Sequence, residues 1–550
     1  MLEPSLVFEP KSFADIPDAS AAVKPASVIL TPNTNMSVSL EDGSKSLKDA
    51  FDTHLKGKYI PVVRLDSTTV TPFITWLKNT YNIYDIMAIS DDIAVLETLY
   101  ADSSAYIVNT VYDLTKVTLS TDRYAEWTHI GAANKAGCNI LMYNVQPNLS
   151  VAAEYVEAMA KVCWAVAEDK TEAVEAISAG CYGVVSSDFE AMADALDYFK
   201  KDGFARAQYI AAHRGITAYC NEQSKTAIAA SANEGATHIE LDLQITADQH
   251  ILICHNSTTN ATASASAKFS TSIADDLRRM TLQDYTKKYG DTFPTLEEAI
   301  ELLIDTDIIF IFELKLDGGS ALAVDELQAI ETLKTILDKY PAMKGRWIAI
   351  TFYAPYAEKM REVFPEVPVG ILGGAIAENK QSWGQWGDGK NTISNFMRNF
   401  LRKYNVSIDD MTFDNGRPDT DPYQVSAVTN KMSANYIARG YAQNTWTFKD
   451  LRHYQIKCNI ATTDGAEKCA MLVKTIGAPA ALTAAQLSAK KATVPCTTYN
   501  GWKVEKECEI IVVSQEGNKA KVLFYLQQNS GDKYDINWGL YSNLMEVTIA

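Results

Sequence analysis

The chain has 550 residues, too many for one ordinary domain, and at about 150 residues per domain it should divide into three or four. Its 50 Lys and Arg against 68 Asp and Glu leave a formal charge of −18. That excludes a broad nucleic-acid-binding surface, though not an anionic substrate held by a few local cations or a metal. With 47% hydrophobic and 21% charged residues it is a globular rather than a disordered chain.

Residues 1–24 are acidic and broken by Pro, and they read as a leader or wrapped tail. They lack the basic and apolar regions of a signal peptide. The compartment stays open, including an extracytoplasmic one reached with a signal peptide since removed. No apolar run approaches the roughly 18 residues of a membrane span. From 25 to 203, short apolar runs (YIPVVRLD, DIMAIS, CNILMYNV, VCWAVAED) alternate with helical patterns such as SVAAEYVEAMAK. Alternation of this kind predicts βα units, here in a degenerate barrel-like, non-catalytic domain. It restarts at 204 and runs to 477 with about eight strand candidates, the size of a (β/α)8 TIM barrel. Residues 478–494, rich in Ala, Lys and Thr, read as a linker. Residues 495–550 carry short strands separated by EGN and NSGD turns and predict a small SH3-like β-barrel. The nine cysteines show no CxxC spacing and read mostly as buried thiols, with Cys496 and Cys508 alone placed for a local bridge.

The chain also repeats itself. Residues 46–66 lie without gaps over 295–315, helix pattern on helix pattern and strand on strand, at an offset of 249. Two related barrels in tandem would account for this. The overlay places Arg64 and Asp66 on Glu313 and Lys315, inverting both charges.

Chemistry concentrates in the second half. His213-Arg214-Gly215 closes the apolar run YIAA, where a barrel strand hands over to its loop. Glu240 and Asp242 stand two apart on one strand and point to one side. His255 ends the apolar run HILICHN. Glu313 and Lys315 stand at the C-terminal end of DIIFIFELKL, an unbroken apolar run of the kind found in a central parallel strand. Buried charges are costly unless paired or bound to metal, and C-terminal strand ends are where barrel enzymes assemble their sites. Three carboxylates without a nearby thiol suit one divalent cation, Mg²⁺ or Ca²⁺. Arg214 and Lys315 suit an oxyanion, and two histidines suit proton transfer to and from oxygen. Together these point to phosphodiester cleavage.

In this order the motifs resemble the glycerophosphodiester phosphodiesterase family, whose pattern runs HRG, PENT, ExD, HD and ExK. Here they are HRG at 213–215, NEQS at 221–224, IELDLQITADQHILICHN at 239–256 and FELK at 312–315, with WTF at 446–448 and TTD at 462–464 as closing strands. The resemblance covers about 205–475. It implies His213 and His255 as the catalytic acid/base pair and Glu240, Asp242 and Glu313 as metal ligands. It further implies Arg214 and Lys315 as phosphate contacts, Trp446 as a pocket wall and Glu222 as a supporting acid. PENT has lost its proline, and the HD aspartate is Asn256. The expected activity is metal-dependent hydrolysis of a glycerophosphodiester, small or lipid-derived, to glycerol 3-phosphate and an alcohol. Two alternatives remain. One is a phospholipase D-like enzyme acting on lysophospholipids or on envelope glycerophosphate polymers, with the C-terminal domain contacting the envelope. The other is a binding or scaffold protein with a silent barrel.

Overall fold

The computed structural model describes residues 4–18, 20–21, 23–56, 58–81, 86–103, 109–200, 203–259, 263–282, 291–315, 324–352, 354–372, 384–387, 437–448, 458–528 and 538–550. In the first part, short apolar runs form eight parallel strands. They are Ser5–Phe8, Ser27–Leu30, Ile60–Arg64, Met87–Ser90, Asn109–Asp113, Ile140–Asn144, Val162–Val166 and Gly183–Ser186. Phe8 pairs with Ser186 and Val28, which closes the ring. This corrects two expectations. The supposed tail 1–24 contains the first barrel strand, with Leu6, Val7 and Phe8 buried. The domain is also a complete barrel rather than a degenerate one. Strands of four or five residues let it close in less chain than a typical barrel uses, and a single four-residue strand among prolines leaves little periodicity to read.

The second ring consists of Tyr209–His213, His238–Ile245, Ile309–Leu314, Trp347–Thr351, Val369–Ile371, Gly384–Gly387, Gln443–Phe448 and Ile460–Thr463. Pairing of Tyr209–His213 with both Ile460–Thr463 and His238–Ile245 closes it. All pairs are parallel except those of Gly384–Gly387, which is antiparallel to both neighbours. One of the strand candidates of this half, SIDDMTF at 407–413, lies outside the described residues. HILICHN is not a barrel strand: Ile251–Ile253 folds back antiparallel on His238–Ile245. The intervening TADQ turn is far too short for the crossover that a parallel neighbour needs.

The repeat offset holds in three dimensions. Helices start at Leu47 and Leu296, strands at Ile60 and Ile309, each 249 apart. Both strands are third in their barrels. Helix Leu296–Leu303 is set by a capping box, Thr295 with Glu298, and buries Leu296, Ala299, Ile300 and Leu303 on one face.

The C-terminal region is a seven-stranded sheet. Long antiparallel strands Lys491–Thr498, Lys503–Glu516 and Lys519–Gln527 form its body, and Val473–Ile476 lies at one edge. The expected linker 478–494 therefore holds helix Ala484–Ala489 and the start of a strand. The sheet recruits Gly203–Phe204, which pairs in parallel with Gly539–Leu540. Because it draws on chain from three places, it is not a separate SH3-like module of residues 495–550. All nine cysteines, Cys496 and Cys508 included, are buried thiols outside any disulfide.

The first barrel abuts the second through residues that precede the strands of the latter. Asn109 Nδ2 donates to the carbonyls of Arg439 and Gly440, at 3.0 and 3.2 Å. Tyr155 Oη donates to Gly345 O at 2.7 Å, and Asn459 Nδ2 to Glu157 O at 2.8 Å. His238 Nε2 lies 2.9 Å from Ala158 O. Arg206 grips buried Glu157, Nε to Oε2 at 2.8 Å. The first barrel thus covers the N-terminal face of the second and leaves its C-terminal mouth open. Among the described residues no helix is long and apolar enough to cross a membrane.

Candidate active site

The mouth of the second barrel is a cleft of about 210 Å³ lined by His213, Arg214, Glu240, His255, Glu313, Lys315, Ile350, Phe352, Leu372, Asn444, Thr447 and Thr462. Strand register sets the charged layer: His213 faces Glu240 and Asp242 faces Glu313 across adjacent parallel strands. Oxygens of Glu240, Asp242 and Glu313 lie within 4.8 Å of one another, and all three residues are buried, at 3%, 1% and 6% exposure.

The HRG turn is built by backbone geometry. Arg214 has φ +60°, a left-handed conformation that costs any residue with a Cβ energy and clusters at functional sites. Gly215 follows at φ +80°, and a Cβ there would stand 2.7 Å from the Ala227 carbonyl, so only glycine fits. The turn aims Arg214 inward: Nη1 donates to Glu222 at 3.0 Å and Nε lies 3.5 Å from Asp242. Lys315 Nζ donates to Glu313 at 2.5 Å and stands 3.0 Å from Asp242.

Charge is unbalanced here. Glu222, Glu240, Asp242 and Glu313 face Arg214 and Lys315, a formal surplus of two negative charges. Like charges at this separation repel by about 3–4 kcal/mol at an effective dielectric of 20. Burial and the neighbouring Asp242 and Glu313 raise the Glu240 carboxyl well above its ordinary range. Burial, with Asp242, pushes Glu313 up to about 8 against the pull of Lys315. Burial would raise Asp242 too, but Lys315, His255 and Arg214 outweigh it and hold that carboxyl low. Glu240 Oε2 is buried without a hydrogen-bond partner. An all-oxygen cluster with an orphaned carboxylate oxygen and a surplus of two charges fits a divalent cation.

The two histidines flank this layer. His213 Nε2 is 3.9 Å from Glu240, and its Nδ1 is 2.6 Å from Asp464 Oδ1. His255 Nδ1 is 2.9 Å from Asn256 Oδ1. Burial holds the His255 imidazole below its ordinary range, with Lys315 and Arg214 adding to the effect and Asp242 opposing it. The structure therefore gathers His213, Arg214, Glu240, Asp242, His255, Glu313 and Lys315 at one mouth. Glu222 reaches it only through Arg214. Trp446 lies on Gln443–Phe448 by its backbone, and its side chain lies outside the described residues.

Sequence reading missed several contributors, among them Gln223, Asp464 and Phe352. Gln223, at φ +61°, donates from Nε2 to Asp242 at 2.6 Å. Asp464 partners His213, and exposed Phe352 forms part of the apolar wall. Gln223 and Asp464 both sit in motifs already picked out, NEQS and TTD.

A barrel whose strand ends carry a carboxylate cluster between two histidines and two cations defines a class of site before any relative is consulted. Residues 213–465 match the model of the glycerophosphoryl diester phosphodiesterase family. Among curated proteins, the chain is 25% identical over 194 residues to glycerophosphodiester phosphodiesterase 1 of Homo sapiens, covering 34% of this chain and 55% of the relative. It is 30% identical over 111 residues to a glycerophosphodiester phosphodiesterase of Caldanaerobacter subterraneus, covering 19% and 44%. The chain thus spans about half the length of the curated relatives it matches. A solved glycerophosphodiester phosphodiesterase from Parabacteroides distasonis aligns at 18% identity over 49% of this chain and 96% of its own, with a TM-score of 0.32. A phosphodiesterase from Oleispira antarctica, solved with the product sn-glycerol-3-phosphate, aligns at 17% over 48% and 95%, with a TM-score of 0.35. The stretch that matches the family model, residues 213–465, falls on the second barrel.

Proposed function

We propose that the protein hydrolyses glycerophosphodiesters to glycerol 3-phosphate and an alcohol at the mouth of the second barrel. The observation that carries this reading is the buried Glu240–Asp242–Glu313 cluster, whose three carboxylates outnumber the two cations Arg214 and Lys315, set between His213 and His255. Glu240, Asp242 and Glu313 would hold one divalent cation, Mg²⁺ or Ca²⁺. When bound, it supplies charge neutralisation for the phosphate and its attacking oxygen. Arg214 and Lys315 bind the non-bridging phosphate oxygens, Arg214 by the planar fork that suits them. One histidine takes the proton from the attacking oxygen, and the other gives a proton to the leaving alkoxide. Glu222 holds Arg214 in place. The first barrel has no part in the chemistry.

The test is product analysis by phosphorus NMR with the full chain. It uses glycerophosphocholine, glycerophosphoethanolamine and lysophospholipids, each with Mg²⁺ or Ca²⁺. Glycerol 3-phosphate from the first two supports the reading. Turnover of lysolipids alone favours the phospholipase D-like alternative, for which the apolar wall of Ile350, Phe352 and Leu372 speaks. No turnover of any diester leaves a binding protein.

A further inference from the structure

The two histidines at the mouth have different partners on Nδ1. His255 faces the neutral amide oxygen of its neighbour Asn256 at 2.9 Å. His213 faces a carboxylate from the far end of the domain, Asp464 Oδ1, at 2.6 Å. Asp464 follows strand Ile460–Thr463, which pairs with Tyr209–His213 and so brings both residues to one rim of the ring. Its own backbone is tied down, with its N–H donating to Phe448 O at 3.3 Å. The carboxylate therefore reaches the imidazole from a fixed base.

We infer that Asp464 is the positioning residue of His213. A carboxylate can only accept, so the nitrogen facing it must carry hydrogen. That selects the Nδ1–H tautomer and leaves the Nε2 lone pair directed at the cleft and Glu240, 3.9 Å away. Without Asp464 the ring is free to turn about its side-chain bonds and to take the other tautomer, in which Nε2 has no lone pair to accept a proton. Asp464 touches no reacting atom; it acts through His213. Asn256 gives His255 a weaker, neutral version of the same restraint. The inference rests on the proposal that His213 exchanges a proton with the diester or its attacking oxygen.

The experiment uses the full-length, metal-loaded protein with glycerophosphoethanolamine as substrate. Asp464→Asn should lower kcat roughly 100-fold and leave KM within about twofold, the pattern of a lost transition-state interaction. The melting temperature should stay put, since the Asp464 side chain is 43% exposed. In a His213→Ala background the same change should cost nothing more, because a residue that acts only through His213 has nothing left to position. In protein labelled with ¹⁵N-histidine, the long-range proton–nitrogen spectrum should show His213 as the Nδ1–H tautomer, and that signature should be lost in Asp464→Ala, which leaves no acceptor for Nδ1–H. The inference is overturned if Asp464→Asn keeps wild-type kcat, if it lowers turnover further without His213, or if the tautomer does not change in Asp464→Ala. Should the wild type turn over no diester, the functional reading falls, and the tautomer spectrum still decides the role of Asp464.

Discussion

The two barrels share a ring of eight strands and, over one helix and strand, a common spacing. They differ at the rim. In the first, the third strand ends in Arg64, which bridges Asp113 Oδ2 at 2.6 Å and Glu9 Oε2 at 3.1 Å. Asp66 accepts from the Thr68 and Thr69 hydroxyls at 2.7 and 3.0 Å, and so forms part of a turn. Each of these carboxylates meets a hydrogen-bond donor, Asp66 in hydroxyls rather than in a cation. In the second, the third strand ends in Glu313, and its cluster holds more negative charge than Arg214 and Lys315 can neutralise. Frame and rim are separable. A barrel closes on apolar strands whatever its ends carry, and a site is distinguished by charge its own side chains leave unanswered.

The sharpest way to break this comparison is to remove the imbalance. Glu313→Ala should cost about three orders of magnitude in diester turnover, and chelation should do the same until Mg²⁺ or Ca²⁺ is added back. Unchanged activity after chelation and add-back would strip the cluster of its assigned role. His213→Ala and His255→Ala should each lose roughly 10²–10⁴-fold in turnover with melting little altered. A folded variant with near wild-type rates would remove that histidine from the mechanism.

Next comes the pH dependence of the metal-free protein. Glu313 is raised from an ordinary value of 4.5 to about 8 in the folded chain. The folded state therefore holds a proton that the unfolded state releases, and stability should fall as pH rises from about 4.5 to about 8. Glu313→Gln should flatten this slope in calorimetry. A divalent cation should restore wild-type stability most at the upper end of the window. An equal slope in wild type and variant would show that the carboxyl is not held protonated. The smallest effect belongs to the other rim. Arg64→Met should leave diester turnover intact and cost about 1–2 kcal/mol in urea unfolding, through the stranded Asp113 and Glu9. Loss of turnover there would give the first barrel a part in catalysis.

Much of the second barrel was legible because its chemistry sits at apolar strand ends, where a charge stands out. The pairs Glu240/Asp242 and Glu313/Lys315 needed only the period of two along a strand. His255 was placed at the right mouth by the wrong element, since HILI is apolar enough to imitate a barrel strand and only its short TADQ turn betrays a hairpin. Asp464 was visible as the last letter of TTD, but its partner lies 251 residues upstream, and nothing local reports a contact of that range. Ser5–Phe8 was lost for the opposite reason: its strand is so short that only its pairing with 27–30 and 183–186 and packing such as Phe8 on Phe189 define it. The C-terminal sheet was misjudged as a module because Gly203–Phe204, two residues long, carries no pattern at all.

Those two residues also bear on how the molecule moves. Chain passing from one barrel to the next is ordinarily a tether, and domains joined by a tether tumble semi-independently. Here Gly203 packs where any side chain would strike the Tyr541 ring, and Phe204 meets Trp538 edge to face at 5.1 Å. Phe199, just upstream, rests against Tyr541 at 4.9 Å. The joint is riveted into a sheet on one side, while Arg206 and Glu157 lock the barrels on the other. Nuclear spin relaxation should accordingly return one rotational correlation time for both barrels, so any opening or closing at the mouth of the second barrel must arise within that barrel and not from a swing of one barrel against the other.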